Sequence, residues 1–254
     1  MSADRSPVVV VTGAGRGIGA ATAMLAAERG WAVAINYVHD TLAARALADD
    51  ILAEGGDADL FRADVADPEQ VAAMFAAVDA RFGHDRLRGL VNNAGIVDHA
   101  ARVDEMTPER LQRMFAVHVF GAFHCAREAL RRMSHRFGGG GGAIVNVSSV
   151  ASRLGSPGQY VDYAAAKAAI DTFTVGLARE VAGEGVRVNA VRPGIVDTEI
   201  HASGGQPERA QQMAAQIPMQ RPGRADEIAQ AIVWLLSPQA SYTTGAILDV
   251  GGGR

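Results

Sequence analysis

The chain has 254 residues, 48% hydrophobic and 20% charged, a make-up that suits one large folded core and excludes disordered and fibrous classes. A formal net charge of −4, from 24 basic and 28 acidic residues, leaves no cationic excess for a polyanion, so nucleic acid is not an expected partner. No apolar run approaches the roughly 18 residues of a membrane span, residues 1–7 lack the layout of a signal peptide, and the single cysteine, Cys125, cannot form an internal disulfide; a soluble cytoplasmic protein is expected.

Short β-branched runs alternate with alanine-rich segments of helical period, the pattern of repeated βα units around a parallel sheet. In chain order, strands are expected at 7–12, 31–37, 58–63, 90–92, 143–148, 186–192 and 246–250. Helices begin near Gly17, Thr41, Pro68, Thr107, Asp162 and Ala225. Two segments break the rhythm. The five glycines at 138–142 read as a flexible connection into the fifth strand. Residues 201–221, with Gly204, Gly205, Pro207 and Pro218, read as an inserted loop carrying a short helix. Loops beyond the carboxyl ends of parallel strands usually handle ligands, so one domain, 1–254, is expected with a substrate loop at about 199–222.

Behind the first strand comes Thr12-Gly-Ala-Gly-Arg-Gly-Ile-Gly19, opening a helix. Backbone amides at such a helix start can hold a pyrophosphate, and glycines permit its close approach. A Walker lysine is absent, which argues against a P-loop nucleotidase. The strict dinucleotide frame from Gly13 fails at Ile18, whereas a frame from Gly15 reaches Ala20 and is permitted. Taken alone, such a match is weak evidence, and a glycine-rich turn without a ligand is the lesser alternative.

Lys167 is the only lysine among 24 basic residues, so a compact ammonium is expected to matter there. It follows Tyr163 by four residues, which places both on one face of a helix. A tyrosine with a pKa of about 10 is a poor base near neutrality, and an adjacent ammonium favours its phenolate. Such a tyrosine can exchange a proton with an alcohol or carbonyl oxygen while hydride moves to or from a nicotinamide. Tyr160 has Ala164 at the same spacing and reads as a pocket wall or surface residue.

Together with Asn92-Asn-Ala-Gly95, Asn146-Val-Ser-Ser149 and Pro193-Gly-Ile-Val-Asp-Thr198, these motifs resemble the short-chain dehydrogenase/reductase family over nearly the whole chain. The closest style is that of bacterial glucose-dehydrogenase-like and ketoacyl-reductase-like oxidoreductases. The resemblance implies an α/β single-domain Rossmann fold, a doubly wound seven-stranded parallel sheet with helices on both faces. It implies Tyr163 as general acid/base, Lys167 lowering its pKa, and Ser149 rather than Ser148 as the second donor to the substrate oxygen.

The same resemblance implies a nicotinamide cofactor held by Gly13, Arg16, Gly17, Ile18 and Gly19, with Asn36 and Tyr37 at the end of the second strand. Asp64 and Val65 would lie at the adenine, Asn93, Ala94 and Gly95 beside the ribose, and Tyr163 and Lys167 at the nicotinamide. Pro193, Gly194, Val196 and Thr198 would orient the carboxamide. No acidic residue stands at Asn36-Tyr37-Val38 to repel a 2′-phosphate, and Arg16 could pair with one; NADP(H) is the expected cofactor and NAD(H) the alternative. Asp40 lies nearby.

One departure stands out. Relatives carry asparagine where this chain has His118, a position implied to hold a helix kink and, through its backbone carbonyl, a water leading to the lysine. Histidine both donates and accepts, so the polar link is either kept or retuned. The motifs point first to a nicotinamide-dependent oxidoreductase acting on a carbonyl or secondary alcohol; the alternatives are a catalytically weakened cofactor-binding regulatory or scaffolding protein and a Rossmann-type methyltransferase, which has no use for the tyrosine–lysine pair. Expected partners are a small carbonyl or alcohol and further copies of the chain, as a homotetramer or homodimer pairing helices near 107–132 and 162–182. No membrane and no metal are expected. Asp98 and His99 are expected to help shape the substrate pocket, whose residue types fit sugars, steroids, ketoacyl groups and small ketones alike.

Overall fold

The computed structural model describes residues 6–254, so most of the segment read as lacking a signal peptide lies outside the described residues. Every side chain of β1 (Val8–Val11) is buried. Val8 and Val10 enter one apolar layer, Val9 and Val11 the other. Because successive strand side chains point to opposite faces, such a strand requires cover on both sides. The chain supplies it in order: α1 (Gly17–Glu28), β2 (Ala32–Tyr37), α2 (Thr41–Ala53), β3 (Asp57–Arg62), α3 (Pro68–Phe82), β4 (Leu87–Asn92), α4 (Pro108–Phe115), α5 (Gly121–Met133), β5 (Gly142–Val147), α6 (Ala151–Leu154), α7 (Val161–Val181), β6 (Val186–Pro193), α8 (Ile200–Ser203), α9 (Arg209–Gln212), α10 (Ala225–Leu236) and β7 (Ile247–Val250).

The seven strands pair in parallel in the order β3-β2-β1-β4-β5-β6-β7. One layer packs Phe75 of α3, Cys125 and Met133 of α5 and Leu177 of α7 on the sheet. The other packs Ala23 of α1, Ile51 of α2 and Ile232 of α10. This is a doubly wound Rossmann fold. Connections reverse direction between β1 and β4, which opens a crevice at the carboxyl edge where such sheets bind ligands. Local chemistry starts the helices: Asp67 accepts from the amides of Glu69 and Gln70 ahead of Pro68, and Thr107 accepts from that of Arg110 ahead of Pro108.

Four features differ from the sequence expectations. Strand β4 begins at Leu87, because Leu87 is buried and Gly89 pairs with Val9 despite the intervening Arg88. The long helix after Thr107 is interrupted by a π-helical turn, Ala116–Phe120. The glycine run is packed rather than loose: the Gly139 and Gly141 amides donate to Ser134 O and Met133 O at 3.0 and 2.8 Å, and a Cβ on Gly139 would lie 2.3 Å from Arg132 O. Its last member, Gly142, already belongs to β5. Finally, the segment after β6 holds two short helices and a 3-10 turn, Ala214–Gln216. Its base is tied by a parallel bridge between Val196 and Gly223, where the Asp197 amide donates to Gly223 O and the Gly223 amide to Ile195 O, both at 2.9 Å. Among the described residues no helix is long and apolar enough to cross a membrane.

Candidate active site

The glycine loop turns from β1 into α1 with Gly17 at φ +57°, a left-handed conformation that disfavours a side chain. A Cβ on Gly19 would stand 2.5 Å from Asn93 Nδ2 and 2.6 Å from Gly13 O. Arg16 gives α1 no side-chain cap and the first turn has no acidic residue. The amides and the positive end of the helix therefore suit a pyrophosphate. Thr198 closes over the loop, 3.4 Å from where a Gly17 Cβ would be.

Two asparagines brace this loop from inside the protein. Asn36 is buried; its Oδ1 accepts from the Gly13 amide at 3.1 Å, and its Nδ2 donates to Phe61 O and Ala63 O. Its side chain is thus a support under the loop. Asn93 Nδ2 donates to Thr12 O and Gly13 O at 2.9 and 3.0 Å, while Thr12 Oγ1 accepts from the amides of Asn93 and Ala94. Asp64 accepts from the Ala66 amide. Val65 is buried and would contact a Cβ on Gly121, so its side chain faces the core. Tyr37 is half-buried at the end of β2. Arg16 is exposed, with one long contact of 3.4 Å from Nη2 to Ser203 Oγ. Asp40 caps α2, accepting from the Ala43 amide, and is thereby occupied.

A cavity of about 590 Å³ opens at the carboxyl edge. It brings together Ser149, Tyr163, Lys167 and His118 with Ile18, Asn93, Gly95, Pro193, Gly194, Val196 and Thr198. Gly13, Arg16, Gly17, Gly19, Asn36, Tyr37, Asp64, Val65 and Ala94 lie outside this cavity. Tyr160 forms part of its wall, as expected. Asp98 and His99 do not line it. Asp98 instead pairs with Arg113, and the His99 ring packs where a Cβ on Gly205 would be, so both back the loop after β6.

Within the cavity the electrostatics depart from the expected sign. Burial raises the Tyr163 pKa above its usual value, with a hydrogen bond to Ser149 opposing the rise. Lys167 does not reverse it: its Nζ donates to Val147 O at 2.7 Å and stands 5.7 Å from the Tyr163 ring centroid. Burial also lowers Lys167 to about 8, Asp171 opposing. Tyr163 is thus protonated near neutrality. Ser149 Oγ accepts from the Ala151 amide at 3.1 Å and keeps its own proton to donate. Ser148 Oγ donates to Lys167 O and is structural.

His118 sits in the π turn, 3% exposed. Its Nε2 faces both polar atoms of Ile96, 2.8 Å from the carbonyl oxygen and 3.1 Å from the amide nitrogen. Either neutral tautomer therefore finds a backbone partner, donating in one and accepting in the other. The ring packs edge-on against Tyr163, centroids 5.3 Å apart. Burial, reinforced by the charge of Lys167, lowers its pKa to about 3, so the imidazole is neutral under ordinary conditions.

The family model described as enoyl-(acyl carrier protein) reductase matches residues 13–254. The uncharacterized oxidoreductase YgfF of Escherichia coli is 55% identical over 97% of this chain and 99% of its own. The chain belongs to the short-chain dehydrogenase/reductase family. It is an NAD(P)-dependent oxidoreductase of that family. Cis-4-hydroxycyclohexanecarboxylate dehydrogenase of Sinomonas cyclohexanicum is 44% identical, covering 97% of this chain and 95% of its own. A Burkholderia cenocepacia short-chain dehydrogenase solved in complex with NADP superposes with a TM-score of 0.88 at 32% identity, covering 97% of both chains.

Several residues that support this family site were missed in the sequence, most of them for want of a local signal. Arg110 and Asp162 form a bidentate pair, Nε to Oδ2 at 2.7 Å and Nη2 to Oδ1 at 3.2 Å, beside Tyr163. Asn92 Nδ2 donates to Asn146 Oδ1, and Asn146 Nδ2 to Thr174 Oγ1, tying β4 and β5 to α7. Asp171 pairs with Arg192 at 2.8 Å; its place four residues beyond the only lysine was a usable clue. Arg62, opposite Tyr37 in the β2–β3 register, donates to Val38 O and makes no ion pair among the described residues.

Proposed function

We propose that this oxidoreductase reduces a ketone to a secondary alcohol, and runs the reverse reaction, with Tyr163, Ser149 and Lys167 as its catalytic residues. The observation that carries the reading is the convergence of these three side chains in one cavity with Ile18 of the glycine loop and Thr198, which closes over that loop. When bound, the nicotinamide supplies or accepts the hydride. Tyr163, kept protonated by burial, gives its proton to the carbonyl oxygen as negative charge develops there. Ser149 donates a second hydrogen bond to that oxygen. Lys167, anchored on Val147 O, keeps a positive charge close enough to favour the phenolate left behind. A second cavity of about 10 Å³ is lined by Lys167 together with Thr12, Asn92 and His118; a polar space of that size holds about one water and suits proton resupply.

The cofactor in this reading is NADP(H). The Burkholderia relative was solved with NADP, Asp40 is spent on capping α2, Arg62 stands opposite Tyr37 at the end of β2, and neither it nor Arg16 of the glycine loop has an acidic partner among the described residues. The Sinomonas relative, named for a ring hydroxy acid, supports a cyclic alcohol or ketone as substrate. Neutral His118, doubly opposed to Ile96, favours turnover over the weakened scaffold. We place the enzyme in the cytoplasm as a homotetramer or homodimer. NADPH absorbance followed over a panel of ketones tests the activity; no consumption with any of them would refute it. NADP⁺ should bind more tightly than NAD⁺ by calorimetry, and Arg16→Ala should narrow the gap; tighter NAD⁺ binding would overturn the preference.

A further inference from the structure

The cavity wall contributed by α9 holds a guanidinium with no counter-ion among the described residues. Arg209 is half-buried, its guanidinium carbon 5.2 Å from the centroid of the Tyr160 ring. Its Nη1 donates to Gln206 Oε1 and its Nη2 to Gln159 Oε1, both at 2.7 Å. Both partners are neutral amides, and Arg209 makes no ion pair among the described residues. Guanidinium carries five N–H donors, so the two bonds orient it and leave donors over for another acceptor. Stacking on an aromatic face fixes its plane.

The surroundings share this bias. Among the described residues no aspartate or glutamate lines the cavity, whereas Lys167, Arg209 and Arg254 do, and Arg254 Nη1 is buried with no partner among them. The charge of Arg209 reaches His201, which burial already holds in its neutral form. The polar and stacking contacts of Arg209 come from the turn before α7 and from the loop after β6. None comes from the glycine loop or from the end of β2, where the cofactor phosphates belong. A cation held by neutral partners in a largely apolar pocket is a site for an anionic group of the substrate, recognised by paired N–H donors.

We propose that Arg209 is a specificity-determining residue that binds a carboxylate on the substrate, so that this enzyme prefers keto or hydroxy acids over neutral ketones and alcohols. The proposal rests on the carbonyl-reducing reading above and adds the charge of the substrate. It predicts discrimination between molecules of equal shape, because losing the anion leaves the guanidinium facing a neutral group.

The test compares 4-oxocyclohexanecarboxylate with 4-oxocyclohexanecarboxamide, using NADPH and the intact enzyme. Wild type should favour the acid at least tenfold in kcat/KM. In Arg209→Gln that acid-over-amide ratio should fall toward unity, chiefly through KM for the acid, and Arg209→Lys should restore part of it. A ratio unchanged in Arg209→Gln would overturn the proposal, since a residue that only braces the loop through Gln159 and Gln206 would impair both substrates together. Calorimetry with cyclohexanecarboxylate and cyclohexanecarboxamide separates this from the reduction reading. If neither ketone is turned over, reduction fails, yet tighter carboxylate binding that disappears in Arg209→Gln upholds the subsite; equal binding of the two probes refutes it.

Discussion

Tyr163 and Lys167 stand one helical turn apart, and their chemistry separates by pH. Because burial keeps Tyr163 protonated, Tyr163→Phe removes the proton donor while leaving the ring. Turnover should drop by about 10³-fold, with NADPH affinity, read by fluorescence titration, staying close to wild type; retained turnover would remove Tyr163 from the reaction. Lys167 is held at about 8, so its charge is lost as pH rises through that value. The profile of kcat/KM should fall on an alkaline limb near pH 8, and a flat profile to pH 10 would contradict the assignment. His118 behaves oppositely. With a folded pKa of about 3 against about 6.5 unfolded, it is neutral in both states above pH 6.5, and there its stabilising contribution is fully present. Below that the unfolded chain binds the proton and the native one does not, so stability is lost as pH falls toward 3. His118→Asn should therefore leave the pH–rate limbs in place yet lessen acid sensitivity by about 2 kcal/mol between pH 7 and 5, measured by urea unfolding. A shifted rate limb with unchanged stability would make the imidazole a proton carrier. The tyrosine–lysine spacing was legible because both lie on one helix; the raised tyrosine pKa was not, since desolvation depends on walls from elsewhere in the chain.

Between elements, the pair Arg110–Asp162 joins α4 to the first turn of α7, where Tyr163 begins the active face. The Asp162 side chain is fully buried and that of Arg110 is only 10% exposed. Removing one partner strands a buried charge, so Asp162→Asn should cost about 3 kcal/mol of stability. It should also lower kcat, because the start of α7 loses its tether; an unfolding midpoint equal to wild type would show the pair to be idle. The 52-residue separation hides this contact from any local pattern. Helix starts fared better, since Pro68 and Pro108 after Asp67 and Thr107 carry their own signals. The family resemblance implied a kink at His118, but its π form was not legible: Ala116-Val-His-Val-Phe120 has the same apolar period whether its amides reach back four residues or five. The glycine run misled because glycine marks both loose linkers and crowded backbone, and only the neighbouring Arg132 and Met133 carbonyls tell which.

At the scale of the molecule, consecutive valines such as Val8–Val11 foretold a sheet covered on both faces, and the motifs after successive strands foretold which edge would hold the site. How the loop after β6 folds was less accessible, because its short helices rest on Asp98, His99 and Tyr160 rather than on their own periodicity. Outside the core, Phe120 and Phe123 are 54% and 50% exposed, with Phe123 centred 4.0 Å from Phe173 of α7. Such apolar surface suits burial against another copy of the chain. Phe120→Asp together with Phe123→Asp should reduce the mass seen by sedimentation velocity to that of a monomer; a wild-type monomer would refute this assembly. The bridge between Val196 and Gly223 gives the architecture a further property. Its two hydrogen bonds bring the ends of the intervening segment side by side next to the sheet edge, so the stretch between them behaves as an exchangeable cassette. Evolution can rewrite what the enzyme accepts by replacing that one stretch, leaving the hydride-handling half untouched, and a laboratory graft of 199–222 between relatives should carry substrate preference with it.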